Sequence, residues 1–126
     1  KNQQANPHKL GSVQEQYLEA ALNREESALK ASTKYFPPDK SGLNQYYARR
    51  AEQRLAEIYV ERTELDRAKK IYSKFTQAES TARQFRAVGH AGLANIYHRE
   101  KNHRKSVQQL QELLVLYREL PPTERR

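Results

Sequence analysis

Cysteine, methionine and tryptophan are all missing from the 126 residues, and glycine (4) and proline (5) are scarce. Without Cys there is no disulfide, no thiolate ligand for zinc and no thiol nucleophile. The compartment is not decided by this, because reducing and oxidising locations both tolerate a Cys-free domain. Nowhere do about 18 apolar residues follow one another, so no segment reads as a membrane-crossing helix. No basic, then apolar leader stands at the start. Leu, Ile, Val and Phe together number only 24. With a formal net charge of +8 and a mean hydropathy of −1.06, that share sits at the composition of disordered chains. Against disorder stand 14 Ala and 8 Tyr. These suit helices that meet at small residues and fill their gaps with rings.

The breakers divide the chain: Pro7, Pro37/Pro38 and Pro121/Pro122, with Gly11, Gly42, Gly89 and Gly92. Between them the apolar spacing is helical and nothing alternates as a strand does. Residues 1–10 lack periodicity and read as a flexible lead-in. Ser12-Val-Gln-Glu15 has capping-box form and starts a helix over 12–36, with Leu18, Leu22, Leu29 and Phe36 as its buried stripe. A second helix covers about 41–62, with Leu43, Tyr46, Tyr47, Ala51, Leu55, Ile58 and Tyr59 inward. Thr63 is the expected N-cap of a third helix reaching about 78. A fourth spans about 81–99 and a fifth about 103–120. Short connections make successive helices antiparallel neighbours.

Leu55-Ala56-Glu57-Ile58-Tyr59 returns as Leu93-Ala94-Asn95-Ile96-Tyr97, 38 residues on. The same offset carries Ala68 to Ser106 and Tyr72 to Leu110. Large, small and aromatic positions thus recur over two helix pairs, which is an internal repeat. The pattern resembles the tetratricopeptide repeat (TPR) family: Leu55, Ala56, Tyr59, Ala68 and Tyr72 in one copy, Leu93, Ala94, Tyr97, Ser106 and Leu110 in the next. Glu52 and His90 stand where the family usually has Trp, and Thr63 and Lys101 where it has a turn Gly. The extra residues beyond the usual length of about 34 lie between Tyr72 and Leu93. The resemblance implies an all-α fold, a right-handed antiparallel helix-pair solenoid of about five helices. In it, 11–120 forms one domain: helix 12–36 as a partial repeat, then repeats 41–78 and 79–120, with 121–126 as a tail.

Chemistry-bearing residues are few. His98 and His103 lie five apart across a helix boundary, without metal-site spacing, and His90 reads as a packing residue. Glu57/Glu61 and Glu15/Glu19 share helix faces, as ordinary surface acids do. No triad, P-loop or dinucleotide fingerprint occurs. Gly89-His-Ala-Gly92 lies within a helix, where small residues allow close helix approach. No catalytic residue, metal or cofactor is expected.

The family's first helices line a groove that holds peptides. Carried over, the partner-binding groove consists of Arg50, Gln53, Arg54, Glu57 and Val60, then Val88, Ala91, Asn95, His98 and Arg99. A family subtype clamps C-terminal carboxylates through Lys and Asn; Asn95 fits that pattern, whereas Gln53 and Glu57 depart from it. The expected function is therefore a protein-interaction scaffold with a protein or peptide partner, acidic by preference given the basic chain. The alternative is a nucleic-acid-associated domain using the basic turn His98–Lys105, with Arg99, Lys101, Arg104 and Lys105 on phosphates. On the last helix, Leu110, Leu113, Leu114, Tyr117 and Leu120 are expected inward, and Val115 and Leu116 widen the apolar arc. A homodimer through that helix is the favoured way to cover it, ahead of a folded-back tail or a further repeat. The start on Lys1 leaves an upstream signal, anchor or domain open, and with the missing Cys leans towards a bacterial envelope, the cytoplasm next.

Overall fold

Ser12 opens the first helix as the capping pattern requires: its hydroxyl accepts the Glu15 N–H at 3.2 Å. In the computed structural model, which describes residues 7–119, the regular elements are all helices, with no strand among the described residues. The helices are α1 (Val13–Asn23), α2 (Glu26–Tyr35), α3 (Gly42–Glu61), α4 (Leu65–Thr76), α5 (Arg83–Arg99) and α6 (His103–Glu119). Single 3-10 turns, Pro38–Lys40 and Ser80–Ala82, precede α3 and α5. The chain divides at Thr63/Glu64 into two compact units. That boundary falls inside the stretch 41–78, which the sequence reads as one repeat.

In the first unit α1, α2 and α3 all touch one another. The single helix expected over 12–36 is broken at Arg24, which takes a left-handed conformation (φ 51°, ψ 41°) and returns its N–H to the Ala20 carbonyl at 3.0 Å. The reason is burial. α1 buries Val13, Gln16, Tyr17 and Ala20, whereas α2 buries Ala28, Leu29 and Ser32. At about 100° per residue, an unbroken helix would set Leu29 half a turn away from Ala20. Both cannot face one core without a break. Leu18 and Leu22, expected in the stripe, lie instead on the outer face, 53% and 82% exposed, and Leu43 is also exposed.

The core of this unit is completed from α3 by Ala48, Ala51, Leu55, Ala56, Ile58 and Tyr59. Ser41 caps α3, its hydroxyl accepting the Asn44 N–H at 3.0 Å. The lead-in is also corrected in part. The buried Gln16 amide donates to the His8 carbonyl (3.0 Å) and accepts the Leu10 N–H (2.6 Å), and the Tyr35 hydroxyl donates to the Pro7 carbonyl (2.6 Å). Residues 7–10 are thereby pinned. Residues 1–6, Leu120 and the tail 121–126 lie outside the described residues.

In the second unit α5 packs against both α4 and α6. Its contact with α4 is close because two positions lack a side chain. A Cβ on Gly89 would meet the Tyr72 carbonyl oxygen at 2.6 Å and the Thr76 nitrogen at 2.8 Å; one on Gly92 would enter the Tyr72 ring at 2.5 Å. Phe75 and Phe85 meet edge to face at 5.7 Å between centroids. On the other side, buried Ser106 of α6 donates its hydroxyl to the Ala94 carbonyl at 2.9 Å.

The turns after α3 and α5 match. Arg62 and Glu100 have φ/ψ of −86°/1° and −82°/1°, and the next residues, Thr63 and Lys101, have φ of 58° and 64°. Thr63 is therefore a left-handed turn residue and not the N-cap expected of it; Glu64 holds that place. After α5 the Lys101 N–H bonds the His98 carbonyl (3.0 Å) and the Asn102 N–H the Tyr97 carbonyl (2.8 Å), a Schellman closure. The Asn102 side chain then accepts the Lys105 N–H at 3.2 Å and starts α6. The 38-residue echo in the sequence thus has an echo in the backbone.

Candidate functional site

Of the repeat-packing residues, Leu55, Ala56, Tyr59, Ala68, Tyr72, Leu93, Ala94 and Ser106 are buried, and Tyr97 is half-buried. Leu110 departs from its echo, Tyr72, and is 51% exposed. α6 turns Ser106, Leu116 and, in part, Gln109, Leu113 and Tyr117 inward, leaving Val107, Leu110, Leu114 and Val115 outward. The inward stripe expected on this helix is therefore corrected at Leu110 and Leu114. The half-buried His90 ring is 2.7 Å from the Gln109 side-chain oxygen, a bridge between α5 and α6.

The groove residues form one face on each of two helices. On α3, Arg50, Gln53, Glu57 and Val60 are half-buried and Arg54 is exposed. On α5, Ala91, Asn95, His98 and Arg99 are exposed and Val88 is half-buried. Their spacing of three or four residues puts each set on a single side of its helix.

One polar cluster on α3 is built around Arg50. Its guanidinium lies 5.2 Å from the centre of the Tyr17 ring and 5.7 Å from that of Tyr46, and it donates to the Tyr46 hydroxyl at 2.9 Å. Tyr47 extends the stack, with centroids 5.4 Å from Tyr17 and 5.0 Å from Tyr46. The bond to Tyr46 holds Arg50 above its ordinary pKa against the opposing effect of burial. Among the described residues no carboxylate pairs with Arg50. One turn on, Arg54 donates to the Tyr17 hydroxyl (3.4 Å) and to Glu57 (3.0 Å), and both contacts raise its pKa, the first more. The spacing Tyr46–Arg50 makes that pair legible in the sequence; Tyr17, on another helix, is not.

The basic turn is divided in two. Lys105 lies over the Tyr97 ring at 5.5 Å, and Lys69 does so at the same distance. Lys69 also bonds both oxygens of Glu100 (3.1 and 3.0 Å), which raises its pKa. Arg99, Lys101 and Arg104 are exposed, with no carboxylate partner among the described residues. The His98 and His103 rings stand 5.6 Å apart and are both exposed. No group of three or more His, Cys, Asp or Glu able to hold a metal occurs among the described residues. In the same range no helix is long and apolar enough to cross a membrane. Comparison with protein-family models, curated proteins and solved structures finds no match to this chain.

Proposed function

We propose that this chain is a non-enzymatic protein-interaction module of TPR-like architecture that binds a carboxylate-bearing peptide or partner segment. One observation carries the proposal: Arg50 is a half-buried cation held by two tyrosines, with no acid of its own among the described residues. A guanidinium fixed in this way presents its remaining N–H groups at little entropic cost, and its planar fork suits a carboxylate. Arg54, one turn along the same helix, supplies a further donor. The net charge of +8 adds attraction at longer range.

The test is fluorescence anisotropy with a labelled Asp/Glu-rich peptide beside its Asn/Gln counterpart. The acidic peptide binds more tightly, and Arg50→Ala weakens it about tenfold, a typical loss for a charge-assisted contact. Arg50→Lys, which keeps charge but loses the stacked fork, falls between. Equal binding of both peptides, or indifference to Arg50, would sink the proposal.

Nucleic-acid binding is the second reading, favoured by the exposed cations Arg99, Lys101 and Arg104, which have no carboxylate partner among the described residues. Its mark is oligonucleotide affinity that falls steeply with salt, each lost phosphate contact lowering the log–log slope by about 0.7–0.9. Alanine at Arg99, Lys101, Arg104 and Lys105 then abolishes binding while Arg50→Ala leaves it intact.

A further inference from the structure

Two helices each bury one side and leave apolar residues on the other. In α1 the side opposite Val13, Gln16, Tyr17 and Ala20 consists of Glu15, Leu18, Glu19 and Leu22, with Leu18 and Leu22 53% and 82% exposed. In α6 the outer side runs through His103, Arg104, Val107, Leu110, Gln111, Leu114, Val115 and Arg118, and its four apolar members are 46–51% exposed. Singly exposed leucines are ordinary on protein surfaces; a continuous strip along a helix is not.

The two strips differ in charge. That on α1 has two carboxylates and no cation, and neither Glu15 nor Glu19 has a cationic partner among the described residues. That on α6 has Arg104 near one end and Arg118 at the other, without a carboxylate among its eight residues. The helix's own acids, Glu112 and Glu119, fall on its flank, about 120–140° round from Val107. Like strips would set Arg against Arg or Glu against Glu. Unlike strips join apolar to apolar and acid to base.

We propose that the outer face of α1 in one copy of this chain docks on the outer face of α6 in a second copy, head to tail. The spacing agrees: Leu18–Leu22 and Leu110–Leu114 are both four residues apart. With the helices antiparallel and Leu18 level with Leu114, Leu22 comes level with Leu110 and Glu15 falls within one residue of Arg118. Because two different patches meet, each dimer keeps one unused α1 face and one unused α6 face. Growth beyond the dimer follows unless a ring closes.

Sedimentation velocity over a range of concentrations reads this directly. The full chain gives a weight-average mass that rises past the dimer. Leu22→Asp and Leu110→Asp each abolish association, and mixing the two yields a 1:1 dimer, because each supplies the face that the other lacks. Glu15→Arg and Arg118→Glu, which leave the apolar residues in place, each weaken association about tenfold or more, and their mixture recovers it. Both strips are outside the folded core, so circular dichroism of the variants matches the parent. Association of Leu22→Asp equal to the parent, with loss only in Leu110→Asp, means a symmetric α6–α6 dimer and overturns the proposal. A parent chain that stays monomeric at millimolar concentration overturns it as well.

Discussion

Glu26 is the carboxylate on which the first unit's polar contacts converge. The Tyr59 hydroxyl donates to it at 2.6 Å, the Arg62 guanidinium at 3.0 Å, and Lys30 forms an ion pair with it at 3.0 Å. These contacts, the tyrosine bond foremost, hold its pKa at about 2, against an ordinary 4.5. A depressed acid stabilises the fold above its unfolded pKa and loses that contribution as pH falls towards the folded one. Here the window runs from about pH 4.5 down to 2. Solvent reaches the group, so screening reduces the contribution to about 1 kcal/mol. Urea titrations of the parent and Glu26→Gln should therefore differ by about that amount at pH 7, and converge near pH 2. Two buried serines make an opposite pair. Ser106 Oγ is hydrogen-bonded, whereas Ser32 Oγ, though the residue is 1% exposed, has no partner among the described residues. Ser106→Ala should lower stability by about 1 kcal/mol, and Ser32→Ala should leave it unchanged or raise it. The 38-residue echo marks Ser106 as a packing position, but nothing in the sequence says which serine is hydrogen-bonded, since that depends on whether a carbonyl on another helix lies within reach.

At the scale of the element, helix ends and helix contacts are set by a few backbone positions. Thr63 and Lys101 hold left-handed conformations that cost an L-residue about 1–2 kcal/mol, and Thr, being β-branched, is the less suited. Thr63→Gly should raise the melting temperature by a few degrees, the relief exceeding the added unfolded-state entropy of glycine. A lower melting temperature would mean that the Thr63 side chain contributes more than its strain removes. Gly89 and Gly92 test packing in the other direction. Helix propensity alone favours alanine there by about 1 kcal/mol. Because a Cβ would strike the backbone of α4 or the Tyr72 ring, Gly89→Ala and Gly92→Ala should instead lose about 1–3 kcal/mol. Calorimetry decides the sign. The Gly-His-Ala-Gly spacing marked this contact in the sequence, and the LAxIY echo marked both turns. The break at Arg24 left no such mark, because Asn23-Arg24-Glu25 contains neither Gly nor Pro.

For the whole molecule, charge and exposed apolar surface carry the binding proposals. Arg50 on its tyrosine platform, the exposed cations Arg99, Lys101 and Arg104, and the unlike strips of α1 and α6 have separate readouts. Raising salt should weaken oligonucleotide binding most steeply, if it occurs, because counterions are released in proportion to the phosphates covered. Self-association should fall only modestly with salt, since apolar strips supply most of it and charge selects the orientation. Measuring the two at 50 and 300 mM salt separates the surfaces without mutation; equal steepness would mean that one basic surface serves both.

The sequence by itself determined that the chain is all-α, where most helices begin and end, and that two helix-turn segments repeat 38 residues apart. It also identified Leu55, Ala56, Tyr59, Leu93 and Ala94 as interior residues. These follow from local signals: a 3.6-residue period, capping side chains, and small residues flanked by large ones. The tertiary structure alone decided which side of α1 and α6 faces inward. Each of these helices has apolar residues on more than one side, so periodicity allows two solutions. The choice goes to the side that closes against a neighbour. In α1 that is Val13, Gln16, Tyr17 and Ala20, because Tyr17 fills more volume than either leucine and Gln16 satisfies the backbone of residues 8–10. The displaced leucines, Leu18 and Leu22, stay at the surface.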